Sequence, residues 1–141
     1  MREILFRGKR TDGKGWIYGS YIQSNSSWKG GHPHRAWIAE DAMSNGGWFA
    51  LQKRLPVIDE TVGQYTGVLD KNGVRVFEGD ILRTQFGRLV RIEYRAVGGF
   101  VGFDMTAIEC KHECPWSDTA WCSYNIEVVG NIHDNPEMVR W

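Results

Sequence analysis

Gln64-Tyr65-Thr66-Gly67-Val68-Leu69-Asp70-Lys71-Asn72-Gly73-Val74-Arg75-Val76-Phe77-Glu78-Gly79-Asp80 is the stretch that decides the fold class. Residues 65–69 and 74–77 have strand character, and they flank Asp70-Lys71-Asn72-Gly73. An aspartate suits the first position of a type I turn, because its carboxylate accepts a backbone N–H two residues on. A glycine suits the last position, where a left-handed backbone costs a residue without Cβ almost nothing. A type I turn followed by a left-handed glycine is a common hairpin connection, so the spacing predicts a β-hairpin with a bulge. Gly79 between Glu78 and Asp80 predicts a sharp corner before a new strand at residues 81–84.

Three ordered blocks carry a family resemblance. The first is Met1-Arg2-Glu3-Ile4-Leu5-Phe6-Arg7-Gly8-Lys9-Arg10. The second is the central stretch, with Gln64 to Gly67, Asp70 to Gly73 and Phe77 to Ile81 in succession. The third is Val128-Val129-Gly130-Asn131-Ile132-His133-Asp134-Asn135-Pro136-Glu137-Met138. Together they resemble the YopX-like family of phage and prophage proteins over nearly the whole chain. His133 stands where that family more often has an aromatic such as Tyr, and Val68 where it more often has Leu. The resemblance implies a mostly β, barrel-containing protein encoded by a phage or prophage. It brings no catalytic residues with it.

Outward from the centre, short runs alternate with turn signals. Residues 3–7 read as a strand, Asp12-Gly13-Lys14-Gly15 as a turn, and residues 16–22 as the returning strand. The basic Gly8-Lys9-Arg10 reads as a charged edge that blocks edge-to-edge pairing. Residues 23–45 are irregular, with Trp28, His32, His34 and Trp37 among Ser, Asn and Gly. Within them, residues 36–43 fit a strand or a short helix. In residues 88–95, Val90, Ile92 and Tyr94 share one face, and Arg91, Glu93 and Arg95 the other. Gly98-Gly99 turns the chain, residues 100–103 return, and residues 105–117 read as loop. Residues 124–129 alternate again. Asp134-Asn135-Pro136-Glu137 opens a single helical turn, with a cap, then Pro, then an acid.

This rhythm predicts an all-β, mostly antiparallel chain. A small SH3-like barrel is expected in the C-terminal half, with the N-terminal hairpin and the long loop packed on it. The whole of 1–141 reads as a single domain with sub-lobes at 1–60 and 61–141. The 17 glycines and 13% aromatic content favour that class over a helical bundle.

Seventeen Lys and Arg balance seventeen Asp and Glu, which removes any whole-molecule attraction to nucleic acid or anionic membrane. No run approaches the ~20 apolar residues of a membrane span, and no leader-like segment opens the chain. Three cysteines with no leader fit a reducing compartment, so a cytoplasmic location in a bacterial host is expected.

Four constellations bear on chemistry. Cys110, His112, Cys114 and Cys122 are the right residue types for tetrahedral zinc. Their spacing matches no common finger or ribbon, so three reduced thiols is the plainer reading and no cofactor is expected. His32 and His34, near Glu40 and Asp41, would suit half of a metallohydrolase site. Pro33 and the Gly-rich surroundings favour exposed loop histidines instead. Glu78 and Asp80 have the spacing of an acid–base pair, yet short acids at a corner more often accept backbone N–H groups. Arg83, Arg88, Arg91 and Arg95, with Phe86 and Tyr94, would suit a single-stranded nucleic-acid face. Tyr94 falling with Val90 and Ile92 breaks that interleaving, and a solvated charged face is the plainer reading. No Walker loop, dinucleotide fingerprint, nucleophile elbow or metalloprotease helix occurs. The leading expectation is a non-enzymatic module that binds a phage or host macromolecule or assembles into a homo-oligomer. Single-stranded nucleic-acid binding and metal-dependent hydrolysis are the alternatives.

Overall fold

The structure is a computed structural model of the chain, and it describes residues 3–23, 36–40, 54–85, 87–97, 100–108, 117–118 and 125–139. The all-β expectation holds. Strands dominate the described residues, and their only helical pieces are 3-10 turns at Asp59–Thr61 and Pro136–Val139. The chain forms two compact units, Met1–Tyr65 and Thr66–Trp141.

The first unit holds β1 (Phe6–Lys9), β2 (Trp16–Gln23), β3 (Ala36–Ala39), β4 (Leu55–Pro56) and the opening residues of β5 (Gly63–Leu69). The hydrogen-bonded order is β4-β3-β2-β1-β5. The opening hairpin forms as expected, with Phe6 opposite Gly19 and Lys9 opposite Trp16. Asp12 holds its turn by accepting the Lys14 N–H at 3.0 Å. The reading of the basic arm as a charged edge is corrected. β1 pairs with β2 on one side and with Gly63 and Gln64 of β5 on the other. Arg7 is buried and lies 4.6 Å over the Trp16 ring, so its charge is met by an aromatic face inside the unit.

The ambiguity at residues 36–43 resolves to a strand. Ala36, Trp37, Ile38 and Ala39 are all buried, and β3 is paired on both sides, by β2 and by β4. A strand covered on both faces reads as a continuous apolar run, which hides its period. Ile17, Ala36, Ile38 and Val57 form the core of this unit.

The second unit holds the rest of β5, then β6 (Arg75–Phe77), β7 (Asp80–Thr84), β8 (Leu89–Val97), β9 (Phe100–Ala107), β10 (Ser117–Asp118) and β11 (Ile126–Asn131). Five of these form an antiparallel sheet in the order β10-β9-β8-β7-β11. That order is open among the described residues, so it does not establish the SH3-like barrel expected here. Residues 105–107, read as loop, instead continue β9. Met105 pairs with Ile92 and is fully buried, so the core extends the strand past the point where its alternation fades.

The central hairpin forms as its turn chemistry predicts. The Gly73 N–H donates to the Asp70 carbonyl at 3.0 Å, the Asp70 N–H donates to the Val74 carbonyl at 2.8 Å, and Gly73 has φ 78°. At the corner, Gly79 has φ 90°; its N–H donates to the Ile92 carbonyl and its own carbonyl accepts the Ile132 N–H. Asp80, fully buried, accepts the Phe77 N–H at 2.8 Å across that corner, which is the structural role its position suggests. Val76, Leu82, Val90, Ile92, Met105 and Ile126 make the core, with Val68, Phe103 and Val128 against it. Removing a side chain such as Ile92 from this set costs about 2–5 kcal/mol. The terminal motif folds on itself. Asn131 Oδ1 accepts the N–H groups of His133 and Asp134, and Asn135 Oδ1 accepts that of Asn131.

Candidate binding surface

The β8–β9 hairpin is the element that leaves the body of its sheet. Its pairing runs from Val90 opposite Ala107 to Val97 opposite Phe100. β7 accompanies β8 only along Leu89, Val90 and Arg91. Residues 93–97 therefore lie beyond the end of β7. Among the described residues only β9 pairs with them, which makes this end of the hairpin a two-stranded arm, with Asp104 on it fully buried and Phe103 packed against the core.

The direction of each backbone group on the arm follows from the ladder. In antiparallel pairing, alternate residues point their N–H and C=O to opposite edges. Thr84 N–H bonds the Arg88 carbonyl and Gly79 N–H bonds the Ile92 carbonyl, so even-numbered residues of β8 face the β7 side. Ile108 N–H bonds the Leu89 carbonyl, so odd-numbered residues face β9. Tyr94 and Ala96 thus direct their backbone groups past the end of β7. Among the described residues no strand pairs with them there.

The two faces of the arm differ. Tyr94 and Val101 lie on the side that carries Ile92 and Met105 further in, yet they are 56% and 63% exposed. Tyr94 meets Phe103 edge-on at 5.4 Å between ring centroids. Sequence periodicity placed Tyr94 on the apolar face, and that holds. What it missed is that the core stops at Ile92. The signal lay in strand lengths: β8 has nine residues and its neighbour β7 only five.

On the other face, Arg91 Nε lies 2.7 Å from Glu93 Oε1, and Arg95 Nη1 lies 3.7 Å from Asp104 Oδ2. Thr106 Oγ1 links the two pairs, accepting from Arg95 Nη1 and donating to Glu93 Oε2, each at 3.3 Å. The four candidate arginines do not form one basic surface. Arg83, Arg91 and Arg95 share a face by strand parity, and two of them have carboxylate partners. Arg88 precedes β8 in the turn, at the register position opposite Thr84. Glu127 of β11 stands opposite Arg83 in register, and it also lies 3.4 Å from Lys71 Nζ. Charges of both signs are interspersed here, which gives no stripe for a polyanion to follow.

The remaining candidates fall elsewhere. Cys110, His112, Cys114 and Cys122 lie outside the described residues, as do His32, His34 and Asp41. Glu40 is exposed in the turn after β3. Among the described residues, no group of three or more His, Cys, Asp or Glu side chains could hold a metal ion. No helix among them is long and apolar enough to cross a membrane.

Asp70 is the other concentrated polar feature, and it is structural. Its Oδ1 accepts the N–H groups of Asn72 and Val74 at 2.8 and 2.9 Å, and its Oδ2 accepts that of Val128 at 3.0 Å. Burial pushes its pKa up. The N–H groups of Val128, Val74 and Asn72, with the Lys71 charge, outweigh that and hold it below the ordinary aspartate value.

These features define an all-β chain of two antiparallel sheets, with a hairpin arm on which Tyr94 and Val101 are exposed. The family model described as YopX protein matches residues 5–140, and the chain belongs to the YopX family. Protein EF1440 from Enterococcus faecalis, known from its crystal structure, is similar in fold. The TM-score is 0.52 at 21% identity, over 99% of this chain and 100% of that one. No curated protein matches the chain.

Proposed function

We propose that this chain is a non-enzymatic, phage- or prophage-encoded module that binds another protein, with the β8–β9 arm as its contact element. The observation that carries the reading is the exposure of Tyr94 and Val101 on an arm that outruns its sheet. Aromatic and β-branched side chains held on a paired backbone offer contact area at low entropic cost. The reverse face favours a protein partner over a polyanion, since the carboxylates of Glu93 and Asp104 are interspersed among its arginines. Family membership supports the phage or prophage origin only through the resemblance of the three sequence blocks. Self-assembly through the same face is the homo-oligomeric form of this reading.

The test is site-resolved photo-crosslinking in host cells. p-Benzoylphenylalanine replaces Tyr94 or Val101, and as a control Thr11, an exposed residue of the first hairpin. Adducts to one polypeptide from positions 94 and 101, and not from 11, are expected. If that polypeptide is the chain itself, the module self-assembles. Absence of adducts, or equal adducts from all three positions, overturns the reading.

A further inference from the structure

The arm offers more than an apolar face. Tyr94 and Ala96 aim two N–H and two C=O groups at the lane beyond Gly79, where no strand among the described residues pairs with them. Backbone groups two residues apart along an edge are the recognition pattern for another extended chain. Both residues are exposed, so the lane is accessible.

We infer that this lane is a strand-docking site for an extended segment of a partner protein whose side chains alternate apolar and acidic. The inference rests on the protein-binding reading above and names its partner chemistry. A docked strand places residues opposite Tyr94 and Ala96 on the apolar face, beside the exposed Tyr94 ring. The residue between them falls opposite Arg95, on the other face. Arg95 is about one third exposed, and its Asp104 contact is a long one at 3.7 Å, so its guanidinium retains room for a second carboxylate. Opposite charges directly across a pair stabilise it, and like charges do the reverse.

Charge also selects against the two-fold register in which Tyr94 of one copy bonds Ala96 of the other. In a two-fold antiparallel pairing that uses both Tyr94 and Ala96, each bonds the other's counterpart and the axis passes through Arg95. Two guanidiniums would then stand directly opposite one another. A register centred on Tyr94 would oppose Glu93 to Arg95, but it needs the backbone of Ile92, whose carbonyl already accepts the Gly79 N–H.

The experiment is an NMR titration of the isotope-labelled full chain with two synthetic capped peptides, one alternating valine and glutamate, the other valine and lysine. The valine–glutamate peptide is expected to shift the Tyr94 and Ala96 amide signals and slow their hydrogen exchange. Its affinity is expected to exceed that of the lysine peptide about three- to tenfold, the range that a cross-strand charge swap supports. Arg95→Glu inverts that preference. Ala96→Pro abolishes both interactions, because it removes an outward N–H that no strand among the described residues receives.

No response at Tyr94 and Ala96, or equal affinity for both peptides, overturns the inference. A dimer that Ala96→Pro converts to monomer also overturns it, by identifying the occupant as a second copy. Should Ala96→Pro not fold, the charge inversion at Arg95 still decides the matter. Crosslinks from positions 94 and 101 without peptide binding would leave the protein-binding reading standing and remove strand docking alone.

Discussion

The turn of the β5–β6 hairpin closes on one carboxylate, whereas the β8–β9 hairpin runs five register pairs past Ile92 with no paired strand on its β7 side among the described residues. Both lie in the second unit, and both are antiparallel ladders of ordinary β-formers. In the first, Asp70 takes three backbone N–H groups, two from its own turn and one from β11. In the second, no strand among the described residues pairs with the outward N–H and C=O groups of Tyr94 and Ala96. A hairpin whose polar groups are met internally contributes to the fold and has little left to offer a partner. A hairpin that leaves them outward has the opposite character. The contrast predicts that substitutions in the first act on stability and substitutions in the second act on binding.

The largest stability effect is expected at Asp70. Asp70→Ala leaves the N–H groups of Asn72, Val74 and Val128 without their carboxylate acceptor and is expected to cost about 3 kcal/mol, read from urea unfolding. Asp70→Asn separates the two halves of the role. Its oxygen can still hold Asn72 and Val74, but its amide then meets the Val128 N–H donor to donor. A loss of about 1–2 kcal/mol is expected. If both variants unfold at the wild-type midpoint, the carboxylate is not what ties this turn to β11.

Gly73→Ala comes next. At φ 78° an added Cβ costs about 1 kcal/mol of backbone strain, and nothing lies within 4 Å to compound it. A smaller effect follows from titration. The Asp70 pKa is lowered in the folded chain, so its contribution is fully present above the pKa of an unfolded aspartate. It fades as pH falls through the folded value. The stability difference between wild type and Asp70→Asn should therefore shrink as the solution is acidified into that range. A difference that stays constant with pH would show that the carboxylate charge is not the stabilising element.

How far these features could be read in advance depends on whether their causes are local. The Asp70–Gly73 turn and the Gly79 corner were legible because backbone conformation and a neighbouring carboxylate act over a few residues. The 3-10 turn at Pro136–Val139 was legible for the same reason. The burial of β1 was not. A run of Arg and Lys looks like an edge until Trp16 and β5 close around it, and that closure depends on partners as distant in sequence as Phe6 and Gln64. β3 stayed ambiguous because burial on both faces removes periodicity. Of the arm, the sequence showed the two faces but not the empty lane, since a lane exists only relative to where β7 stops.

The sharpest test of the comparison is the smallest stability effect. Tyr94→Ser removes an exposed ring whose described ring contact is the edge of Phe103, and Ala96→Pro removes an N–H that no strand among the described residues receives. Tyr94→Ser is expected to change the unfolding free energy by no more than about 0.5 kcal/mol, the range for surface positions away from caps and core, and Ala96→Pro by no more than about 1 kcal/mol. Each should nonetheless eliminate crosslinking at Val101, which lies across the strand from Ala96. A core residue cannot behave this way, because the contacts that would bind are the contacts that fold. If Tyr94→Ser instead costs as much as a core truncation, the ring belongs to the core and the arm is simply the end of the sheet. If both variants fold normally and crosslinking persists, the partner's contact lies outside the arm, and the division of roles between the two hairpins fails.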